Sequence, residues 1–67
     1  MAVVKVSTVI GSSPESFAKA AQHAVEEAAK TVRGITGADV ETMSCVVEDG
    51  RIVEYRTTVK IAFVVER

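Results

Sequence analysis

The chain reads as an α+β domain of order β-α-β-β, a three-stranded, antiparallel-type sheet curled around one helix. A run of β-branched residues (Ala2 to Ile10) opens it, one amphipathic helix follows (Ser13 to Gly34), and two further strand-like runs are joined by Asp49-Gly50. A right-handed crossover makes the first and second strands parallel, and a tight hairpin makes the third antiparallel to the second. The simplest sheet places the long third strand in the middle, with the first beside it.

The helix is the best-marked element. Ser13 is suited to cap it, Pro14 to open it where a missing N–H costs nothing, and Glu15 to face the positive end of its dipole. Phe17, Ala20, Ala21, Ala24, Val25, Ala28 and Val32 recur at three- and four-residue steps and draw one apolar stripe. Glu26 and Lys30 are spaced as an i,i+4 ion pair, and Gly34 supplies a left-handed residue after the last turn. The stripe is mostly alanine, so the helix axis sits close to its sheet and the bulk of the core comes from the strands.

In the first strand Val4, Val6, Thr8 and Ile10 share one face and Val3, Lys5, Ser7 and Val9 the other, with Gly11 and Ser12 turning into the helix. Gly37 lies in a short connector. Ala38 to Glu48 reads as the second strand, although neither of its faces is cleanly apolar. Asp49-Gly50 suits a type I′ turn, which needs positive φ at both central residues. In the third strand, Ile52 to Glu66, the residues Val53, Tyr55, Thr57, Val59, Ile61, Phe63 and Val65 form an unbroken face. Such a strand runs roughly 50 Å, whereas a helix of about 20 residues spans ~30 Å. One helix cannot cover it. The sheet therefore curls strongly or extends to other subunits.

A chain of 67 residues makes one domain, 1–67. A domain this small buries only about 60% of its unfolded surface and needs a supplement to its core. Cys45 is the one cysteine, which excludes an internal disulfide and a cysteine-rich zinc site. Oligomerisation is the supplement that remains. A net charge of −1, with no Trp, one Tyr and two Phe, argues against a nucleic-acid partner, which would meet a basic face and stacking rings. No membrane span and no signal-peptide pattern is present, so the expectation is a soluble, cytoplasmic protein.

Chemistry is sparse. His23, the single histidine, falls on the polar side of the helix near Glu26 and Glu27, with no nucleophile placed beside it. Cys45 reads as a small structural hydrophobe, because nothing adjacent would stabilise a thiolate. Ser12 and Ser13 read as caps, since the glycine pattern and lysine of a phosphate loop are missing. Asp39, Glu41, Glu48, Asp49 and Glu54 collect acidity in the second strand and hairpin. Carboxylates of this kind make a cation site when copies meet at a symmetry axis. No enzyme constellation emerges.

Over its whole length the chain resembles the dodecins. The likeness is carried by Val4 to Val6 (VKV), Gly11 to Phe17 (GSSPESF), the alanine-rich helix, Ala38 to Val40 (ADV) and Tyr55 to Phe63 (YRTTVKIAF). The resemblance implies a hollow homo-oligomeric dodecamer, non-enzymatic, that binds flavins (FMN or riboflavin) stacked between aromatic side chains at two-fold axes and stores or sequesters them. By the same resemblance Gly37 stands where the stacking tryptophan belongs, and Arg56 where a glutamine hydrogen-bonds the flavin ring. These are the candidate ligand-binding residues. Their replacement implies a tryptophan-less subgroup similar to calcium dodecin, with flavin binding weak or absent. Asp39, Glu41 and Glu54 are then the candidate Ca²⁺ contacts. The expected function is a self-assembling binding or storage shell. The alternatives are a calcium-binding dodecin, a true flavin store with an altered pocket, and an assembly module without ligand.

Overall fold

The structure, a computed structural model, describes residues 3–65. The elements are β1 (Val3–Ser13), α1 (Phe17–Ala29), β2 (Ile35–Glu48) and β3 (Arg51–Val65). The sheet order is β1-β3-β2 with both pairings antiparallel, so the long third strand is central as the sequence predicts. The expected strand ends at Ala2 and Glu66 lie outside the described residues. At the hairpin Asp49 and Gly50 have φ of 52° and 73°, the left-handed pair that a two-residue turn requires.

Both helix ends differ from expectation. β1 continues through Gly11 and Ser12 to Ser13, which pairs with Tyr55, so these residues form ladder rather than turn. Ser16, not Ser13, is the N-cap: its backbone is extended and its Oγ accepts from the Lys19 N–H at 3.0 Å. The Ser13 Oγ instead accepts from the N–H groups of Glu15 (3.0 Å) and Ser16 (3.4 Å) and holds the turn. Glu15 thus precedes the helix and reaches forward to Lys19 at 3.0 Å. At the far end α1 stops at Ala29. Thr31 and Val32 are β-branched, and the Thr31 Oγ1 donates to the Ala28 carbonyl, a bond that competes with continued helix. Lys30 pairs with Glu27 at 2.9 Å rather than with Glu26, whose carboxylate accepts from Gln22. Gly34 has φ 76° but lies beyond the helix, where its carbonyl accepts from the Val64 N–H at 3.0 Å.

The core is the seam between α1 and the odd-numbered face of β3. Ala20, Ala24, Val59 and Ile61 are buried, with Val9, Ala21, Val25, Ala28, Ile35 and Phe63 packed around Ala24, Val59 and Ile61. Thr57 is buried too, and its Oγ1 donates to the Phe17 carbonyl at 2.9 Å. Gly11 faces the helix without a side chain. A Cβ there would overlap the Ala20 carbonyl oxygen and come within 2.9 Å of the Ala24 Cβ. The opposite face of β1 is open, with Val4, Val6 and Ile10 all more than half exposed.

β2 explains its own weak alternation. Its pairing with β3 shifts register between Ile35 and Gly37 and between Val40 and Thr42, where Thr36 and Glu41 are extra residues in β2 and later side chains change face; between Val46 and Val47 the extra residue is Val53 of β3. The helix lies over β1 and β3 and scarcely touches β2. The resulting body is elongated, 52 × 19 × 13 Å, as the mismatch between strand and helix lengths demands.

Candidate ligand site on the outer sheet face

Side chains alternate along β3, and Tyr55 and Thr57 face the helix: the Phe17 ring meets the Tyr55 ring edge-on at 5.0 Å, below the Thr57 bond. Arg56 between them therefore points to the outer face. It is flanked by Ser12 of β1 and Ser44 of β2 in one cross-strand row. Its Nε donates to the Glu54 carboxylate at 2.7 Å. Both side chains are partly exposed, so this pair contributes little to stability.

Gly37 pairs with Ala62, which shares the outer face with Arg56. A Cβ built on Gly37 meets nothing within 4 Å. Between Arg56 and Ala62 the strand advances about 20 Å. One chain therefore does not bring Gly37 and Arg56 together, and a small ligand touching both must lie between two copies.

The acidic candidates are dispersed. Asp39 pairs with Lys60 in the ladder, the Glu41 carboxylate binds Lys60 Nζ at 3.2 Å, and Glu54 is held by Arg56. Among the described residues no group of three or more His, Cys, Asp or Glu side chains is placed to hold a metal ion. Within a single chain Asp39, Glu41 and Glu54 do not form a centre.

The remaining candidates are structural or exposed. His23 is exposed, and its Nδ1 lies 3.0 Å from the Ser12 carbonyl oxygen, which ties α1 to the end of β1. Cys45 is exposed opposite Tyr55, contrary to the expectation of a packed hydrophobe, because α1 leaves β2 uncovered. A groove of about 400 Å³ runs between β1 and α1, lined by Val9, Ile10, Ala24, Glu27, Ala28 and Thr31, and holds none of the predicted ligand residues. Among the described residues no helix is long and apolar enough to cross a membrane.

The Glu54–Arg56 contact was legible from the period of a strand, since residues two apart share a face. The Ser44 neighbour was not. Its place opposite Arg56 depends on the shift between Val46 and Val47, which nothing in the sequence marks.

This geometry defines a class: a small β-α-β-β protein whose sheet outruns its helix and whose candidate ligand residues, Gly37 and Arg56, stand far apart within one chain. A family model described as Dodecin matches residues 3–66. The chain belongs to the dodecin family. Its fold is similar to the dodecin of Streptomyces coelicolor, with 27% identity, a TM-score of 0.95 and 98% and 94% of the two chains covered. A point variant of the Thermus thermophilus dodecin has 25% identity and a TM-score of 0.95, with 100% of each chain covered. The dodecin of Streptomyces davaonensis, at 23% identity and a TM-score of 0.94 over 98% and 97% of the chains, supports the fold alone. No curated protein sequence matches the chain.

Proposed function

We propose that the chain is the subunit of a non-enzymatic, dodecameric binding or storage shell in which neutral flavin is held weakly or not at all. The observation that carries this is the bare surface at Gly37, where a residue that stacks on a flavin would have to stand. Stacking on an aromatic side chain is worth about 1–3 kcal/mol per base in nucleic-acid complexes, and Gly37 offers no such face. Arg56 adds a second mismatch, because a guanidinium donates only and gives the ring N–H no acceptor. The residues present do not fit the flavin arrangement that the family resemblance implies.

Surface area supports the assembly. The chain exposes 5010 Å², whereas a compact monomer of 7.1 kDa exposes about 4,100 Å². The excess, about 900 Å², matches what each partner buries in a standard interface. Val3, Val4, Val6, Ile10, Val40, Met43, Val47, Ile52 and Val53 supply exposed apolar side chains for it.

Calcium is a second candidate occupant, at an axis where carboxylates of several copies would meet. Glu41 and Glu54 already bind Lys60 and Arg56, so an ion would have to displace those partners. We therefore rank calcium behind the flavin-poor shell.

Native mass spectrometry of freshly purified protein, followed by riboflavin titration, tests the reading. A dodecamer free of organic adduct that leaves riboflavin fluorescence unquenched is the expected result. A flavin adduct, or quenching at micromolar protein, would overturn the flavin-poor assignment, and a monomer would overturn the shell. A melting temperature raised by Ca²⁺ and lowered by chelator would promote the calcium reading.

A further inference from the structure

The face that suits a flavin ring poorly is rich in hydrogen-bond donors. Ser12, Arg56 and Ser44 form one row across the three strands, and Ile10, Thr58 and Thr42 form the next. Directly opposed residues of an antiparallel pair share a face with Cβ atoms about 5 Å apart. The hydroxyl residues Ser12 and Ser44 therefore flank Arg56 in its own row, and Thr58 and Thr42 stand in the row beside it. Ser12, Thr42, Ser44 and Arg56 are exposed. Glu54 engages the Nε of Arg56, while the two terminal Nη groups have no partner among the described residues.

A guanidinium edge with two N–H groups matches the spacing of two oxygens on a carboxylate or phosphate, and hydroxyls beside it add further donors. We propose that this outer face binds an oxyanion, the carboxylate or phosphate group of a small molecule, through Arg56 and the hydroxyls of Ser12 and Ser44. The proposal rests on the reading of the chain as a ligand-binding shell and names the class of ligand. Glu54 is the built-in competitor. Its carboxylate occupies one edge of the guanidinium, so only the other edge is open to a ligand until Glu54 is displaced.

The test is equilibrium dialysis of the assembled protein against radiolabelled inorganic phosphate, at ionic strength fixed with sodium chloride. Saturable uptake is expected, at no more than one phosphate per chain. Arg56→Gln should weaken it about tenfold or more, the loss of a charge-assisted hydrogen bond. Glu54→Gln should tighten it. Glu27→Gln removes the same charge from α1, where Glu27 pairs with Lys30, and should leave uptake unchanged. Competition by acetate would identify a site that accepts carboxylates as well, and its absence a site selective for phosphate.

No saturable uptake by the unaltered protein overturns the proposal, as does equal uptake by Arg56→Gln. Equal tightening by Glu54→Gln and Glu27→Gln also overturns it, since that pattern reports general charge rather than a site. Native mass and riboflavin quenching fail separately: phosphate uptake by a protein that does not form the dodecamer removes the shell and keeps the site.

Discussion

Gly11 of β1 lies flush against Ala24 of α1, with room for no atom between them. A Cβ on Gly11 would sit 2.9 Å from the Ala24 Cβ and collide with the Ala20 carbonyl oxygen. Because the contact is with backbone, the neighbour cannot give way by changing rotamer. Gly11→Ala should therefore cost about 1–3 kcal/mol, the usual effect of overfilling a packed seam. Denaturant unfolding measures it. A variant as stable as the parent would show that the helix can lift off β1 freely.

The cap assignment separates neighbouring serines. Ser16→Ala removes the acceptor for the Lys19 N–H and should cost about 1 kcal/mol. Ser12→Ala, at an exposed site whose carbonyl rather than hydroxyl meets His23, should be close to neutral. Unfolding midpoints of the two variants decide it, and the reverse order would move the helix start back towards Pro14.

Thr57→Val keeps shape and removes one bond. The Phe17 carbonyl loses its donor at 2.9 Å in a part-buried seam, so about 1 kcal/mol should be lost. No change in the unfolding midpoint would indicate that water replaces the hydroxyl.

A flavin site should be recoverable by substitution. Gly37 has open space around a built Cβ, so Gly37→Trp should be accommodated without strain. With Arg56→Gln in the same chain, riboflavin affinity should rise by about tenfold or more, the worth of one stacked face. Riboflavin quenching reads the gain directly. An unchanged titration would mean that the two positions never meet around one ligand.

The outer face of β1 offers a test of assembly. Val6 is 58% exposed, so Val6→Asp should leave the single-chain core intact. If copies pack over that face, native mass spectrometry should show the dodecamer lost or weakened while far-ultraviolet circular dichroism is retained. A fully assembled Val6→Asp protein would move the interface elsewhere.

What could be read in advance, and what could not, follows from the range of each interaction. The hairpin was legible because Asp49-Gly50 sets its own backbone angles, and β3 because its alternation is unbroken from Val53 to Val65. The order of strands followed from connectivity. Gly11 was misread as a turn since its partner, Ala20, lies on another element and only packing shows that glycine is there for closeness. Ser13 and Ser16 carry equal capping chemistry, and the choice fell to the Ser13–Tyr55 pairing, a contact distant in sequence. The separation of Gly37 from Arg56 followed from the hairpin: the shifts at Val46/Val47 and Val40/Thr42 cancel, so Gly37 faces Ala62 as an unshifted ladder from Glu48–Arg51 would have it. Glu41 and Glu54 looked available to a cation until Lys60 and Arg56 were found beside them.

The three register shifts of β2 also bear on how the chain can go wrong. Two of them put an extra residue, Thr36 and Glu41, into β2 itself and break the regular spacing of N–H and C=O groups along that flank, so an incoming strand finds no long straight template. β1 has no such break: from Val3 to Ser13 it pairs residue for residue with β3, so its backbone carries no bulge that would interrupt the opposite flank. Newly made chains that have not yet found their partners are therefore vulnerable to misdirected strand pairing and aggregation from the β1 side, while β2 protects itself.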